Sequence, residues 1–272
     1  MGTLFLVATP IGNLEDITLR ALNVLRDVPV IAAEDTRTAR KLLARYDIHT
    51  RLLSYNEHNM RERTPQILDA LTSGNVALVS EAGMPGVSDP GYELTIAALN
   101  AGHEVSPIPG ASASVAAVAA SGLPSRQFTF VGFLPRRSSE RRKLFESLVA
   151  ERRTLVAFES PHRVVAALTD IQAALGDRRL AVCRELTKLH EEIFRGTISE
   201  ATAHFTAPRG EFTLVIEGAP DRPPEFSDDN LRTRLRELRA SGLSSRDAIS
   251  QVARSTGVPR KRVYALSLTL ES

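Results

Sequence analysis

A single cysteine, Cys183, stands among the 272 residues, and tryptophan is absent. One thiol excludes an internal disulfide and points to a reducing compartment. Long hydrophobic runs are also missing. The opening Met1-Gly-Thr-Leu-Phe-Leu-Val7 has no cationic leader, and its apolar stretch is too short for a signal peptide or a membrane span. Leu6 occupies the place where a myristoylation motif needs Ser or Thr. A cytoplasmic protein that does not engage a membrane is therefore expected. The six histidines show no ligand spacing, and Cys183 lies in an apolar run suited to an inert buried thiol, so no metal is expected. No G-x-G-x-x-G follows the first apolar run and no G-x-x-x-x-G-K-[ST] occurs, against the standard dinucleotide and P-loop architectures.

What is present is an ordinary globular composition, 43% hydrophobic and 24% charged, in a chain long enough for two lobes or a domain with a tail. Its pivot is the stretch from Val76 to Gly91. Val76 to Val79 is a short, β-branched apolar run of the kind a buried parallel strand shows. It breaks into a loop carrying Gly83, Pro85, Gly86, Pro90 and Gly91, longer than the roughly 2–6 residues of an ordinary strand-to-helix connection. Stiff loops at the carboxyl ends of strands are where open α/β sheets bind small molecules.

Strand-like and helix-like runs alternate on either side of that loop, which predicts a parallel-rich sheet with crossover helices over residues 1–122. Leu4 to Ala8 is the first strand, and Asp16 or Thr18 can cap the helix after it. Val30 to Ala33 runs directly into Glu34-Asp-Thr-Arg37, either the carboxylate rim of a site or an N-cap with a surface ion pair. Pro109-Gly-Ala-Ser112 opens an Ala/Val-rich helix, offering free N–H groups to a ligand or simply close packing.

The texture changes near residues 122–127, where a second α/β lobe, 123–220, is expected to begin. Its strand at Phe128 to Phe133 leads into a basic segment with Arg136, Arg137, Arg141 and Arg142, suited to phosphates or to a solubilising helix end. Further strands end at Phe158-Glu159 and at Arg184-Glu-Leu-Thr-Lys188. A Pro- and Asp-rich linker, Asp221 to Asp229, precedes a tail over 230–272 that reads as three short helices. From Leu231 to Arg262 the tail has nine arginines and lysines against Glu237 and Asp247, so at a net charge of +2 the remainder is near −5. Such asymmetry suits a polyanion partner or a solvated helix face. The tail's spacing fits a loose helix-turn-helix or a plain three-helix unit.

Taken in order, Ala8-Thr-Pro-Ile-Gly-Asn-Leu14, Ala33-Glu-Asp-Thr-Arg37, Ser80-Glu-Ala-Gly-Met-Pro85, Asp89-Pro-Gly91, Pro107-Ile-Pro-Gly110, Gly132-Phe-Leu-Pro135, Glu159-Ser160 with His162-Arg163, and Arg184-Glu-Leu-Thr-Lys188 resemble the motifs of the bacterial small-subunit ribosomal RNA (cytidine-2′-O-)-methyltransferases. The resemblance spans residues 3 to about 218. It implies an α/β, two-lobed tetrapyrrole methylase-like fold with a small C-terminal helical appendage. It also implies S-adenosyl-L-methionine as methyl donor in the cleft between lobes, 16S ribosomal RNA of the small ribosomal subunit as partner, and a homodimer. The family commonly has Asp after the serine and Thr before the first proline of the central loop; Glu81 and Met84 stand there instead.

On that resemblance the donor would meet Glu81, Ala82, Gly83, Met84 and Pro85, with Pro10 opposite; Pro109, Gly110, Ser112, Phe158, Glu159 and Leu186 would line its nucleoside. A ribose hydroxyl is poorly ionised at neutral pH and gains from a base or an oxyanion-stabilising cation. Glu34 and Asp35 on one rim, and Glu185 with Lys188 on the other, are the catalytic candidates. Lys188 would act as a cation or, if desolvated, as a base. Arg37, Arg136, Arg137, Arg141, Arg142, Arg260, Lys261 and Arg262 are the candidate RNA contacts. Two other readings compete: a tetrapyrrole methyltransferase, which needs no basic tail, and a ligand-sensing regulator whose Arg260-Lys-Arg262 faces DNA base edges.

Overall fold

A computed structural model describes residues 2–220, 227–241, 243–256 and 258–269. Residues 221–226 of the expected linker and Gly257 of the expected helix-turn-helix lie outside them. The chain divides into two compact units, Met1–Ala219 and Pro220–Ser272.

The first unit holds two five-stranded sheets. Its first half runs β1 (Thr3–Val7), α1 (Leu19–Asp27), β2 (Val30–Ala33), α2 (Thr36–Arg45), β3 (Arg51–Ser54), α3 (Met60–Ser73), β4 (Val76–Val79), α4 (Tyr92–Asn100), β5 (Glu104–Ile108) and α5 (Ala113–Ser121). The strands pair in the order β3-β2-β4-β1-β5, all parallel. Every side chain of β4 is buried, which requires cover on both faces. Ala77 and Val79 join Ile31 beneath Leu22 and Leu25 of α1 and Leu43 of α2. Val76 and Leu78 join Leu4 beneath Ile67 and Leu71 of α3 and Leu94 of α4. Thr18 caps α1, its Oγ1 accepting from the Ala21 amide at 3.1 Å. The return of β4 between β2 and β1 gathers the loops after β1, β2, β4 and β5 at the sheet's carboxyl edge.

The second half runs β6 (Phe128–Phe133), α6 (Ser138–Ser147), β7 (Thr154–Glu159), α7 (Val164–Leu175), β8 (Arg179–Arg184), β9 (Glu192–Thr197), α8 (Ile198–His204) and β10 (Phe212–Ile216). Its order is β6-β7-β10-β8-β9, and only β6 and β7 are parallel. Phe145, Leu168, Ile171 and Phe205 from α6, α7 and the end of α8 cover one face. The other face carries α5, whose Ala117 and Val118 pack on Val156, Ala181, Cys183 and Val215. Packing therefore assigns α5 to the second sheet, one helix earlier than the change of texture at 122–127. Gly122 only terminates that helix, with φ of +74° in the left-handed region.

Buried ion pairing fastens α6 to α7. Asp170, 3% exposed, accepts from Arg141 Nη2 at 2.7 Å, from Arg142 Nε at 2.8 Å and from the Ser138 hydroxyl at 2.8 Å.

In the second unit α9 (Asp228–Ala240), α10 (Ser245–Thr256) and α11 (Arg260–Leu268) close on a small core of Leu231, Leu235, Ile249, Val252, Val263 and Leu266. Among the described residues no helix is long and apolar enough to cross a membrane.

Candidate active site

The bend after β4 is pinned on the loop after β1. Thr9 N donates to Gly83 O at 2.9 Å, and Gly83 N donates back to Thr9 O at 3.1 Å. Gly83 has φ of +78°, which a side chain would oppose, and it faces Ile11 and the Ala111 carbonyl. The turn after β5 joins the same cluster: Ala8 N donates to Ile108 O at 3.1 Å, and a Cβ on Gly110 would stand 3.0 Å from that of Ala8. Pro10 of the loop after β1 is buried, whereas Ala82, Pro109 and Gly110 stay exposed. On the second-sheet side, a Cβ on Gly132 of β6 would lie 3.2 Å from the Ser88 hydroxyl, so the bend reaches that lobe too.

Carboxylates crowd the bend. Glu34 Oε2 accepts from the Glu81 amide at 3.1 Å. Burial, then the charges of Glu81, Glu57 and Asp35, push the Glu34 carboxyl above its ordinary range against that hydrogen bond. Asp89 is affected more: burial first, then Glu34 and Glu81, raise it to about 7 despite a hydrogen bond from Ser80. Asp35 behaves oppositely. It caps α2 by accepting from Arg37 N at 2.7 Å and pairs with Arg37 Nη2 at 2.9 Å, contacts that hold its carboxyl down to about 2. Of the two sequence readings of this pair, the N-cap with a surface ion pair describes Asp35; Glu34 alone turns to the bend.

Lys188 sits between two carboxylates, its Nζ 2.9 Å from Glu185 Oε1 and 3.0 Å from Glu211 Oε2. Burial alone would favour the neutral amine, but the bonds to Glu185 and Glu211 outweigh it and raise the ammonium pKa above its ordinary value. Glu185 is lowered in turn: burial opposes its charge, and Lys188 and the Glu211 amide prevail. The raised value keeps the Lys188 side chain an ammonium. Glu185 and Thr187 both have left-handed backbone, φ +51° and +66°.

At the end of β7, the Phe158 ring packs edge-on to Phe130 and Phe133, with centroids at 4.9 and 5.4 Å. Glu159 is buried, its Oε1 accepting from Ser160 N at 2.7 Å and pairing with Arg163 at 2.5 Å. Its Oε2 has no hydrogen-bond partner among the described residues. Leu186 is half-buried, Met84 half-buried and Pro85 buried, while Ser112 precedes α5 with its hydroxyl 3.2 Å from that of Ser114.

The basic candidates divide. Arg136 and Arg137 are exposed, and Arg137 reaches Glu140 at 3.6 Å. Arg37 is exposed though paired with Asp35. Arg142 is half-exposed and fixed to Asp170. Arg141 is a correction: at 4% exposed, it spends its guanidinium on Asp170 and on the carbonyls of Pro135 and Arg136, so it braces a helix and does not face a phosphate. In the second unit Arg260 and Lys261 are exposed at the start of α11, and Arg262 pairs with Asp228 at 2.8 Å. Asp89 and Thr187 stand inside the sequence motifs, but no local pattern marks either for a role.

A family profile described as Tetrapyrrole (Corrin/Porphyrin) Methylases matches residues 3–202. The chain belongs to that family. This methylase is 52% identical to the ribosomal RNA small subunit methyltransferase I of Synechocystis sp. over 100% of this chain and 99% of that one. It is 43% identical to the Bacillus subtilis protein of the same name, over 97% of this chain and 93% of that one. The Thermotoga maritima protein of that name is 52% identical over 80% of this chain and 99% of its own length. Among solved structures, diphthine synthase superposes with a TM-score of 0.63 at 16% identity, covering 80% of this chain and 90% of that one. Uroporphyrin-III-C-methyltransferase from Thermus thermophilus gives 0.56 at 21%, covering 79% of this chain and 94% of that one. These two share the methylase's fold.

Proposed function

We propose that this methylase transfers a methyl group from S-adenosyl-L-methionine to the 2′-hydroxyl of a cytidine in 16S ribosomal RNA, in the decoding region of the small subunit, and does so in the cytoplasm. The observation that carries the reading is 52% identity across the whole chain to a protein named ribosomal RNA small subunit methyltransferase I. The donor supplies an electrophilic methyl on a sulfonium, so the protein's tasks are orientation and charge.

The residues at the bend fit a cationic donor. Glu34, Glu81 and Asp89 make its rim acidic, and the glycines at 83 and 110 keep a cradle that Cβ atoms would begin to fill. Backbone groups of Ala82 and Met84 would orient the donor; Pro10, Pro109, Ser112, Phe158, Glu159 and Leu186 would shape its nucleoside pocket. Met84 offers no hydroxyl, so the contact there falls to the backbone.

For the acceptor, Lys188 as a lasting ammonium would stabilise the forming ribose oxyanion, with Glu185 holding it in place. Glu34 would take the proton, its raised pKa and that of Asp89 lying nearer neutrality than Asp35 does. Arg37, Arg136, Arg137 and Arg142 would follow the RNA backbone, with Arg260, Lys261 and Arg262 adding affinity from the tail. The Thermotoga relative, matched over nearly its full length, covers a share of this chain close to that of residues up to Ala219. That share supports placing the chemistry in the first unit. A homodimer is proposed on α4, where Tyr92, Ile96 and Leu99 form an exposed apolar stripe at i, i+4, i+7 spacing.

Calorimetry with S-adenosylhomocysteine and single-turnover methylation of purified subunits test the site. Lys188→Ala should lose at least about a hundredfold in rate, roughly 2.7 kcal/mol of barrier, with donor-product affinity nearly unchanged. An unchanged rate would remove Lys188 from the site.

A further inference from the structure

We propose that Thr187 is a positioning residue that clasps the second lobe to the loop after β1 and so sets the Lys188 ammonium, with Gly12 leaving the space it needs. The proposal deepens the methyl-transfer reading above and rests on it. Thr187 is β-branched yet has φ of +66°, a backbone region such side chains rarely adopt. Unusual conformations of this kind persist only where the surroundings over-determine them.

Here they do. The Thr187 amide donates to Glu191 Oε2 at 2.6 Å, and its Oγ1 accepts from the Asn13 amide of the other lobe at 2.9 Å. The next amide, of Lys188, closes a turn onto Glu185 O at 3.0 Å, and Glu185, itself left-handed, accepts from Glu211 N and Lys188 Nζ, both at 2.9 Å. Turn, strain and cation are thus one assembly, and its single hydrogen-bonded tie to the loop after β1 among these contacts is the Thr187 hydroxyl.

Gly12 is needed for room. A Cβ there would stand 2.6 Å from Lys188 Cγ, 2.7 Å from Thr187 Oγ1 and 2.9 Å from Leu186 O. Two of these atoms belong to the clasp and the third to its backbone, so even alanine would push the turn away. The same loop, three residues earlier, pairs Thr9 with Gly83 of the donor bend. One short segment, Thr9 to Asn13, therefore ties the bend proposed to hold the donor to the turn that carries the cation proposed for the acceptor. Thr187 locks the second half of that register.

The test is a series at position 187 in the full-length protein, read in three ways. Thr187→Ser keeps the hydroxyl and should stay within about threefold of the parent in kcat. Thr187→Val and Thr187→Gly should each lower kcat roughly tenfold or more, with the KM for subunits and the affinity for S-adenosylhomocysteine within about twofold. Thr187→Gly also relieves the left-handed strain, so its melting temperature should match or exceed the parent's, separating lost rate from lost fold.

In a Lys188→Ala background, Thr187→Val should add no more than about a twofold loss, the non-additivity expected of residues acting as a unit. Hydrogen exchange over residues 9–14, without either substrate, should accelerate in the Val and Gly variants and not in Ser. Gly12→Ala should reproduce the Val phenotype. Full activity in Thr187→Val, the same fold loss with and without Lys188, or unaltered exchange would each overturn the clasp. If the parent protein methylates no ribosomal RNA, the functional reading falls, and hydrogen exchange decides the clasp independently.

Discussion

Asp89→Asn should make the protein more stable at alkaline pH and leave it unchanged at acid pH. In the folded chain the carboxyl is half-buried, faces Glu34 and Glu81, and titrates near 7. Unfolded, it titrates at about 3.9. Below about pH 4 both states hold the proton and the group has no effect on stability. Between about 4 and 7 the unfolded chain releases its proton while the folded one keeps it, so stability falls as pH rises; above 7 the full penalty stands. A displacement of about three units corresponds to about 4 kcal/mol, which solvent access at a half-buried carboxyl reduces to about 2 kcal/mol. The neutral amide has the same shape and carries no such penalty. Urea denaturation at pH 4, 6 and 8.5 should therefore show no difference, a partial gain and a gain near 2 kcal/mol for the variant, with unaltered slopes. A gain independent of pH, or a loss that grows with pH, would refute the reasoning that burial and Glu34 govern this group. Loss of donor affinity in the same variant is expected at pH 8.5 and not at pH 4, because the carboxylate charge is on the rim only above about pH 7.

Other perturbations probe different parts of the molecule. Asp170→Ala strips Arg141 of its buried partner and should cost about 3–5 kcal/mol in chemical denaturation while the affinity for S-adenosylhomocysteine is retained. Gly210→Ala places a Cβ 2.4 Å from the Glu185 carboxyl carbon at a φ of +83°. It should destabilise by about 1–3 kcal/mol and lower methylation through the displaced Glu185–Lys188 pair. Arg136→Ala with Arg137→Ala should reduce the salt slope of subunit binding by about 2, whereas Arg141→Ala should destabilise the fold instead.

The strands were legible where local chemistry alone decides them. Val76 to Val79 announces itself by four apolar residues between Gly74-Asn75 and a glycine- and proline-bearing loop, and β4 occupies those residues. Parallel pairing in the first sheet followed from the alternation of strand and helix. In the second sheet the antiparallel pairing of β8 with β9 reflects the short turn Glu185–Glu191, which leaves no room for a crossover helix. What was not legible depends on distant partners. Arg141 and Arg142 are adjacent in a basic run, and only Asp170 on another helix decides that the first turns inward. Ser114, Ala117 and Ser121 give α5 a small-residue face, but no local pattern says which sheet it lies on. Asp89 titrates high because the fold buries it and, after that, because Glu34 arrives from another strand end, and the left-handed backbone at Glu185 and Thr187 carries no glycine to announce it.

Most direct for the central claim is methylation of purified small ribosomal subunits with isotope-labelled S-adenosyl-L-methionine, followed by mapping of the modified nucleotide. Label on the ribose 2′-oxygen of a single cytidine in the 16S ribosomal RNA, lost with Lys188→Ala, is the result expected. Label on a base, label on a tetrapyrrole in place of RNA, or no transfer to subunits that lack the modification would contradict the account.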